Sequence, residues 1–323
     1  MSSGDRIRGA FIGLAAGDAA GWPAARHRSG LHAPWSRRLA RELDGFAEEH
    51  AVTTLPVPFA LNQPPEPLAT GPSDDAEWLA WTALTRHEDR AEAFGRLAGR
   101  DDLRVRISVR AALGNLAAGK APPVSGYDNP HHFDDAAAVR AVAFGAAGMD
   151  PRPDAEVTNA GDGVLAAVAM AAAVRELVAG APVTAAVAAA LDELPPDTAI
   201  GHAARTALKA ARHAGGAFAA VPALDAALLD HVYSYGVSAA QTLPVALALA
   251  EVSGGRLAEA VPAAACLPSL ADSAPALTGA LTGAAGGLRA VPEGWREAAR
   301  TLIGCALPDL AGTDLIDIAE GLA

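Results

Sequence analysis

Apolar positions along the chain recur mainly at helical spacing. One predicted helix runs from Arg6 to Ala20. Its apolar face has intervals of four, three and four residues, and consists of Ile7, Phe11, Leu14 and Asp18. Asp18 therefore continues an apolar stripe just before Gly21, where the helix is predicted to end. The position fits two roles for this carboxylate, namely local capping or pairing and support of a functional site.

The same periodicity predicts helices along most of the remaining chain, separated by glycine, proline and Asp-Gly. They cover residues 74–84, 91–117 with a break near residue 99, 134–147, 162–179, 183–193, 198–213, 223–233, 236–251, 256–265, 273–288 and 294–304. The alternation typical of strands is nearly absent, and its best candidate, Thr53 to Phe59, contains two prolines. The pattern predicts an all-α fold, a compact multi-helix bundle.

Two long stretches lack helical periodicity. Residues 21–72 are rich in proline, histidine and arginine, with one helical piece near Ser36 to Glu49. A loop of this length inside a compact domain often has a function, for example as a lid. Residues 120–133 form a second predicted loop, which contains Pro122-Pro123 and the turn-like Asp128-Asn129-Pro130. Neither stretch resembles a disordered linker, and no fixed-period repeat is present, so residues 1–323 are predicted to form a single domain.

Composition and net charge limit the kinds of partner that the chain is expected to bind. Hydrophobic residues make up 51% of the chain, with much alanine, which suits closely packed helices. The formal charge of −12 argues against nucleic acid or an anionic membrane as a partner.

The longest apolar run, Val164 to Val174, is shorter than the roughly 20 residues of a membrane span. No secretory signal opens the sequence, so we expect a cytoplasmic protein. Cys266 and Cys305 have no metal or disulfide spacing and are expected to be ordinary buried thiols.

Two short acidic-hydroxyl segments stand at predicted helix starts. Ser73-Asp74-Asp75 follows Gly71-Pro72, and Asp272-Ser273 precedes a helix with Pro275 in its first turn. Both segments fit ordinary helix capping, and Asp74 with Glu77 has the spacing of a capping box. Both also offer the hard oxygen ligands that suit Mg²⁺. The residues alone leave the two interpretations open.

The helix after Asp272-Ser273 carries one glycine per turn on a single face: Gly279, Gly283 and Gly287. Glycine has no side chain beyond the backbone, so a second helix can approach such a face closely. The spacing therefore predicts tight packing of another helix against this one.

Several segments together resemble the ADP-ribosylglycohydrolase family. Arg8 to Gly21, Arg-Gly-Ala-Phe-Ile-Gly-Leu-Ala-Ala-Gly-Asp-Ala-Ala-Gly, resembles the opening helix of the family. Ser73-Asp74-Asp75 is similar to the family's Thr-Asp-Asp motif, and Gly279-Ala280-Leu281-Thr282-Gly283 to its Gly-Ala-Leu-x-Gly. Further likenesses, several of them to a bacterial branch, occur at Pro122 to Gly126, Asn129-Pro130, Asp134-Asp135, Asp162 to Val164, Pro292 and Trp295. The resemblance covers nearly the whole chain and implies the family's all-α fold.

The resemblance implies a metal site shared by the two acidic segments. In the family two ions, usually Mg²⁺, are held by Thr-Asp-Asp and by a C-terminal Gly-Gly-Asp-Thr-Asp-Thr. The implied ligands here are Ser73, Asp74, Asp75, Asp272 and Ser273. Counting back without gaps from Gly279 places Leu270 at the first aspartate of the C-terminal motif. One carboxylate is thus replaced by an apolar side chain, which favours one Mg²⁺ ion over two, with Mn²⁺ as an alternative.

The resemblance also implies substrate contacts, at Ser125, Gly126, Asn129, Asp134 and Asp135. The position of His132 in the same loop adds a further candidate contact, and the positions of Asp18 and Arg140 on their own helices predict supporting roles. Arg140 is equally consistent with contact to a phosphate and to a buried carboxylate. His131 and His132 also fit a solvated surface loop. A second departure from the family is Ala25, which stands near the place of a glutamate that gates or assists the site.

These residues predict metal-assisted hydrolysis of an N- or O-ribosyl glycosidic bond in an ADP-ribosylated or nucleoside-like small molecule. Asp74 or Asp75 is expected to accept the proton of the attacking water, and the metal to stabilise charge near an oxocarbenium-like transition state. Leu270 and Ala25 favour an alternative from another class, a catalytically weak protein that binds ADP-ribose or a similar nucleotide.

Overall fold

The structure, a computed structural model, describes residues 1–21, 71–229 and 236–323, with a few isolated positions between 41 and 51. Ala25 and the candidate strand at Thr53 to Phe59 lie outside the described residues, as does most of the predicted helical piece at 36–49. The α-helices, in chain order, are α1 Ser3–Ala20, α2 Asp74–Thr85, α3 Arg90–Gly95, α4 Ile107–Ala117, α5 Val124–Tyr127, α6 Ala136–Ala146, α7 Arg152–Thr158, α8 Asp162–Ala179, α9 Val183–Asp192, α10 Ala199–Ala214, α11 Ala217–Leu228, α12 Ala239–Val252, α13 Leu257–Ala265, α14 Ala274–Gly286, α15 Glu293–Ala299 and α16 Leu315–Glu320.

The all-α prediction is confirmed. Within the described residues there is no strand, and β-type pairing is limited to isolated bridges, Asp134 with Ser238 and Thr301 with Asp314. Most of the helices predicted after residue 134 agree closely with the observed ones, and α8 has the predicted bounds. The prediction at 294–304 is too long, because α15 ends at Ala299. None of the helices in the described ranges is both long enough and apolar enough to cross a bilayer.

The break predicted near residue 99 in the helix at 91–117 is present, but it is longer than predicted. The segment consists of two helices, α3 and α4, with irregular residues 96–106 between them. Gly99 within that segment has a φ of +80°, a conformation that favours glycine and interrupts a helix. The Arg104 backbone N–H then donates to the Ala306 carbonyl at 3.1 Å. Contact with the C-terminal segment therefore overrides the local helical propensity.

Three short helices are not anticipated by the periodicity: α5, α7 and α16. Each has at most seven residues, too few to show an apolar period clearly. Helix α11 begins at Ala217 rather than at the predicted residue 223, and residues 230–235 at the end of that prediction lie outside the described ones.

The closest helix contact joins α1 and α14, which run antiparallel. Gly9 of α1 faces Gly283, Gly13 faces Gly279, and Gly17 faces Pro275. A Cβ atom added to Gly13 or Gly279 would overlap the backbone carbonyl of the other. The glycine spacing on α14 thus predicts close helix packing correctly, and the partner is the opening helix.

Helix α1 is buried on all sides and not on one face alone. Ile7 and every residue from Gly9 to Ala19 are buried. A helix that is apolar all round belongs in the centre of an assembly, and its polar exception, Asp18, lies at the end where the N-terminus of α14 also lies. This central pair of helices therefore places Asp18 close to the start of α14.

We predict that Gly279→Ala destabilises the protein by roughly 1–3 kcal/mol, because the new methyl group meets rigid backbone and not a flexible side chain. Gly114→Ala is the matched control: Gly114 also lies inside a helix, and an added Cβ there has nothing within 4 Å. That change is expected to stabilise by about 0.5–1 kcal/mol. Urea unfolding of the two variants measures both effects, and equal midpoints would contradict the close contact.

Candidate active site

The first acidic segment is held by Asp18, which caps α2 from another helix. Asp18 accepts hydrogen bonds from the Ser73 backbone N–H at 2.7 Å, the Ser73 hydroxyl at 2.5 Å and the Ala76 N–H at 3.1 Å. Ser73 precedes α2 as its N-cap residue, but its hydroxyl donates to Asp18 and does not cap the helix itself. The two roles considered for Asp18 therefore coincide, since its capping contact also fixes the start of the acidic segment.

The second feature of the site is Arg106, whose side chain is only 5% exposed. Its Nη2 donates to Asp75 Oδ1 at 2.7 Å and to Ser273 Oγ at 2.6 Å. Its Nη1 lies 3.0 Å from Asp135 Oδ1 and 3.5 Å from Asp272 Oδ2. One guanidinium group thus joins acidic or hydroxyl side chains from α2 and from the segments that open α6 and α14.

The contacts of Arg106 differ in quality. Those of Nη2 are aligned hydrogen bonds, whereas Nη1 and Asp135 Oδ1 form an ion pair without hydrogen-bond alignment. Asp75 Oδ2 and both Asp135 oxygens have no hydrogen bond of good geometry among the described residues, although the Thr242 side chain is close enough to Asp135 to lower its pKa. Buried carboxylate oxygens normally have partners. Water or the hydroxyl groups of a ligand would donate hydrogen bonds to these lone pairs and accept hydrogen bonds from the N–H groups of Nη1.

Helix N-termini supply further positive potential to the carboxylates. Asp74 and Asp75 are the first two residues of α2, Asp135 precedes α6, and Ser273 precedes α14. The N-terminal end of a helix favours negative charge within its first turn. Arg106 itself precedes α4, and the positive potential of that helix N-terminus is unfavourable for the positively charged guanidinium. The negative charges of the neighbouring carboxylates offset this repulsion.

Burial dominates the ionisation of these groups. Burial raises the pKa of Asp75 to about 7, although Arg106 counteracts the effect. Burial also raises the pKa of Asp18 and of Asp135 well above the usual carboxyl range, with neighbouring carboxylates adding to both shifts. Burial lowers the pKa of Arg106, but the neighbouring carboxylates of Asp135, Asp75 and Asp272 raise it by more. The net pKa lies well above the usual arginine value, so the guanidinium stays charged.

A hydrogen-bonded chain connects Asp134 to a buried ion-pair network. Asn159 Nδ2 donates to Asp134 Oδ1 at 2.8 Å, and the Thr158 hydroxyl donates to Asn159 Oδ1 at 2.7 Å. Arg140 Nη2 donates to the Thr158 hydroxyl at 2.7 Å. Arg140 Nε also donates to Asp154 at 2.8 Å, so the structure pairs Arg140 with a buried carboxylate. Of the two partners considered for Arg140, the carboxylate is the one present.

The structure brings most of the predicted acidic and hydroxyl residues together. Asp75, Asp135, Asp272 and Ser273 surround Arg106, and Ser73 joins the group through Asp18 and through a 3.3 Å contact with Asp74 Oδ1. Asp74 is 1% exposed, whereas the side chain of Asp272 is 27% exposed. Solvent therefore reaches this cluster at Asp272.

The predicted loop residues make contacts that hold the fold. The Ser125 hydroxyl donates to the Val157 carbonyl at 2.9 Å, and a Cβ on Gly126 would overlap the backbone of α7 and of Asn159. Asn129 donates to the carbonyls of Ser108 and Thr158 at 2.8 and 3.1 Å. The Asn129 carbonyl lies 2.9 Å from His132 Nδ1. A substrate role for Ser125, Gly126, Asn129 and His132 stays a prediction.

The sequence does not predict the roles of three residues that the structure places at or near the site. Arg106 is not identified, because the sequence predicts it inside a helix. In the structure it stands at the start of α4, where an arginine opposes the helix dipole and therefore needs a specific partner. Asn159, which holds Asp134, carries no signal beyond its place at the end of a short helix. Glu77 does not form a capping box; it accepts from the N–H groups of Cys305, Ala306 and Leu307 at 2.7–2.8 Å and so fixes the C-terminal segment.

Comparison with known proteins identifies the family. The family model described as ADP-ribosylglycohydrolase matches residues 1–323. The chain belongs to the ADP-ribosylglycohydrolase family. Membership implies a glycohydrolase that acts on ADP-ribosyl-type substrates.

A solved structure described as an ADP-ribosylglycohydrolase-related protein complex has a similar fold, with a TM-score of 0.62 and 21% sequence identity. The match covers 99% of this chain and 98% of the other. At this identity the likeness shows that the two chains share the ADP-ribosylglycohydrolase fold. No curated protein sequence matches the chain significantly.

The Mg²⁺ ion implied by the resemblance to ADP-ribosylglycohydrolases does not fit the arrangement of these residues. Among the described residues, no group of three or more His, Cys, Asp or Glu side chains is placed to hold a metal ion. The guanidinium of Arg106 contacts Asp75 and Asp135, the Ser73 hydroxyl donates to Asp18, and Leu270 is fully buried and provides no oxygen. The magnesium site itself stays a prediction.

We predict that Asp154→Asn destabilises this family member by about 3–5 kcal/mol, because Arg90 and Arg140 would lose the buried charge that both contact. Asp309→Asn is the control, since Asp309 pairs with Arg100 at the surface and is 73% exposed. Thermal unfolding is expected to show a large loss for the first variant and little change for the second. Similar stability of both variants would show that the buried network is unimportant.

Proposed function

We propose that this chain hydrolyses an N- or O-ribosyl glycosidic bond in an ADP-ribosylated or nucleoside-like small molecule or intermediate. The observation that supports the proposal is the cluster of carboxylates at the starts of α2, α6 and α14, in a chain of the ADP-ribosylglycohydrolase family. The cluster reaches solvent at Asp272, which gives a substrate a point of approach.

Glycosidic cleavage develops positive charge on the anomeric carbon in an oxocarbenium-like transition state. A site rich in carboxylates stabilises that charge electrostatically, and more strongly where water is excluded. The burial of Asp74 and Asp75 satisfies this condition.

We assign proton acceptance to the first turn of α2. Asp74 and Asp75 are consecutive, and a carboxylate here can take the proton of an attacking water as the new C–O bond forms and the glycosidic bond breaks. The leaving group keeps the electron pair of that bond and takes up one proton, so that water is added across it. Asp75 is held in place by Arg106, whereas Asp74 lies next to the Ser73 hydroxyl. The Oδ1 atom of Asp75 is already occupied by the hydrogen bond from Arg106, which makes Asp74 our preferred acceptor. We assign the acceptance of hydrogen bonds from ribose hydroxyl groups to the lone pairs of Asp75 and Asp135 that lack a hydrogen bond within the protein.

One observation favours a second function, binding without turnover. Leu270 is completely buried at the position where the resemblance places a carboxylate. A cluster that has lost one acidic group stabilises an oxocarbenium ion less well, but it can still bind ribose hydroxyls. The second candidate is therefore an ADP-ribose or nucleotide-binding protein that lacks hydrolase activity.

We predict that the protein turns over at least one of ADP-ribosyl-arginine, ADP-ribosyl-serine and a panel of nucleosides. Asp74→Asn is expected to lower kcat by roughly 10²–10⁴-fold, the usual effect of losing a general base. Release of ADP-ribose or free base, followed by chromatography, measures the reaction. Asp309→Asn, which changes an exposed carboxylate, serves as the control and is expected to keep full activity.

Two other results would contradict this assignment. Absence of turnover together with tight binding of ADP-ribose would exclude the hydrolase and support the binding function. Full activity of Asp74→Asn would show that another group accepts the proton.

A further inference from the structure

We propose that Arg106 is the resident cation of the acidic cluster and that it takes the place of a divalent metal ion, so that the site functions without bound metal. The activity part of this inference rests on the proposed function. The part that concerns metal binding rests on the geometry alone.

The first argument is position. Arg106 Nη2 is 2.7 Å from Asp75 Oδ1, and Nη1 is 3.0 Å from Asp135 Oδ1. A Mg²⁺ ion would have to approach such carboxylate oxygens to about 2.1 Å. The guanidinium therefore occupies the space between α2 and α6 from which an ion would bind these two oxygens. An ion could bind these two oxygens together only if Arg106 moved away.

The second argument is that the contacts of Arg106 span the two acidic segments. The same Nη2 atom also donates to Ser273 Oγ at 2.6 Å, and Nη1 lies 3.5 Å from Asp272 Oδ2. A shared metal ion would link these segments by accepting their oxygens as ligands. Arg106 links them by donating hydrogen bonds and by its charge, and a guanidinium has several donors in a planar, fixed arrangement suited to this task.

The third argument is the balance of charge. Leu270, which is 0% exposed, stands where the resemblance places a carboxylate. Replacing an aspartate by leucine removes one negative charge, so less positive charge is needed among the carboxylates that stay. A guanidinium supplies one unit of positive charge, in the direction required, because a buried cluster must keep its charges matched.

The fourth argument is permanence. A guanidinium keeps its proton at every pH at which the protein is folded, and Arg106 is 95% shielded from solvent with its backbone carbonyl bound to Arg110 N–H at the start of α4. Moving the side chain out would leave buried carboxylates without their nearest cation, which is costly. Arg106 is thus a positioning residue, which fixes Asp75 and Ser273 for substrate.

The deciding experiment measures binding of Mn²⁺ to protein freed of metal with EDTA, by titration calorimetry and by the electron paramagnetic resonance signal of free Mn²⁺. Wild-type protein is expected to bind no Mn²⁺ up to millimolar concentrations, and its Tm is expected not to change with Mg²⁺. Micromolar Mn²⁺ binding by the wild type, or a clear rise in its Tm with Mg²⁺, would overturn the inference. This measurement does not depend on the folding of any variant.

Arg106→Ala provides the complementary result. Its Tm is expected to fall, and added Mg²⁺ or Mn²⁺ is expected to restore part of the loss, because the vacated carboxylates would then accept an ion. Its affinity for Mn²⁺ is expected to exceed that of the wild type by at least about tenfold. Arg104→Ala removes an exposed arginine two residues away and is expected to behave like the wild type. Loss of stability in Arg106→Ala without any response to metal would count against the proposed exchange.

Activity separates this inference from the proposed function. Turnover of any substrate found for the wild type is expected to be the same in EDTA and in Mg²⁺. If EDTA abolishes turnover and Mg²⁺ restores it, the resident-cation inference fails while the hydrolase stands. If no substrate is turned over in either condition, the hydrolase fails, and Mn²⁺ binding still decides the role of Arg106.

Discussion

Carboxylates can be buried side by side only if positive charge is placed among them. Asp75, Asp135 and Asp272 converge at the starts of three helices, and the guanidinium of Arg106 contacts all three. The helix N-termini add favourable potential, but they cannot join separate segments as a guanidinium does. The arrangement of the site therefore depends on Arg106, which determines how closely these helix ends can approach.

Backbone packing brings these helix ends within reach of one another. Glycines let α1 and α14 approach until their backbones touch, so that the end of α1 and the start of α14 lie together. At that end Asp18 binds both the Ser73 backbone and its hydroxyl, which fixes the start of α2. The tightly packed pair is therefore the framework on which both acidic segments are mounted. A shift of either helix would separate the segments that Arg106 connects.

Helical period predicts the helical class, and glycine spacing predicts the close packing against α14, because both are local signals that this fold obeys. The pairing of the two acidic segments is implied only by the resemblance to the ADP-ribosylglycohydrolase family. The sequence does not predict Arg106. The periodicity predicts a helix at 91–117 with only a local break near residue 99, so that Arg106 would be an ordinary interior residue. In the structure residues 96–106 are irregular, Arg104 contacts the C-terminal segment, and a new helix begins directly after Arg106. Glu77 is missed for a similar reason, since its partners lie more than 200 residues away in sequence. Long-range contacts of this kind leave no periodic trace.

The central claim is that a guanidinium, and not a divalent ion, balances the acidic cluster. Its most direct test is X-ray diffraction from wild-type crystals grown with Mn²⁺, with data collected at the manganese absorption edge. We expect electron density for the Arg106 guanidinium between Asp75 and Asp135 and no anomalous peak at coordination distance from either carboxylate. An anomalous peak bound to Asp75 and Asp272, with the Arg106 side chain displaced, would contradict the claim.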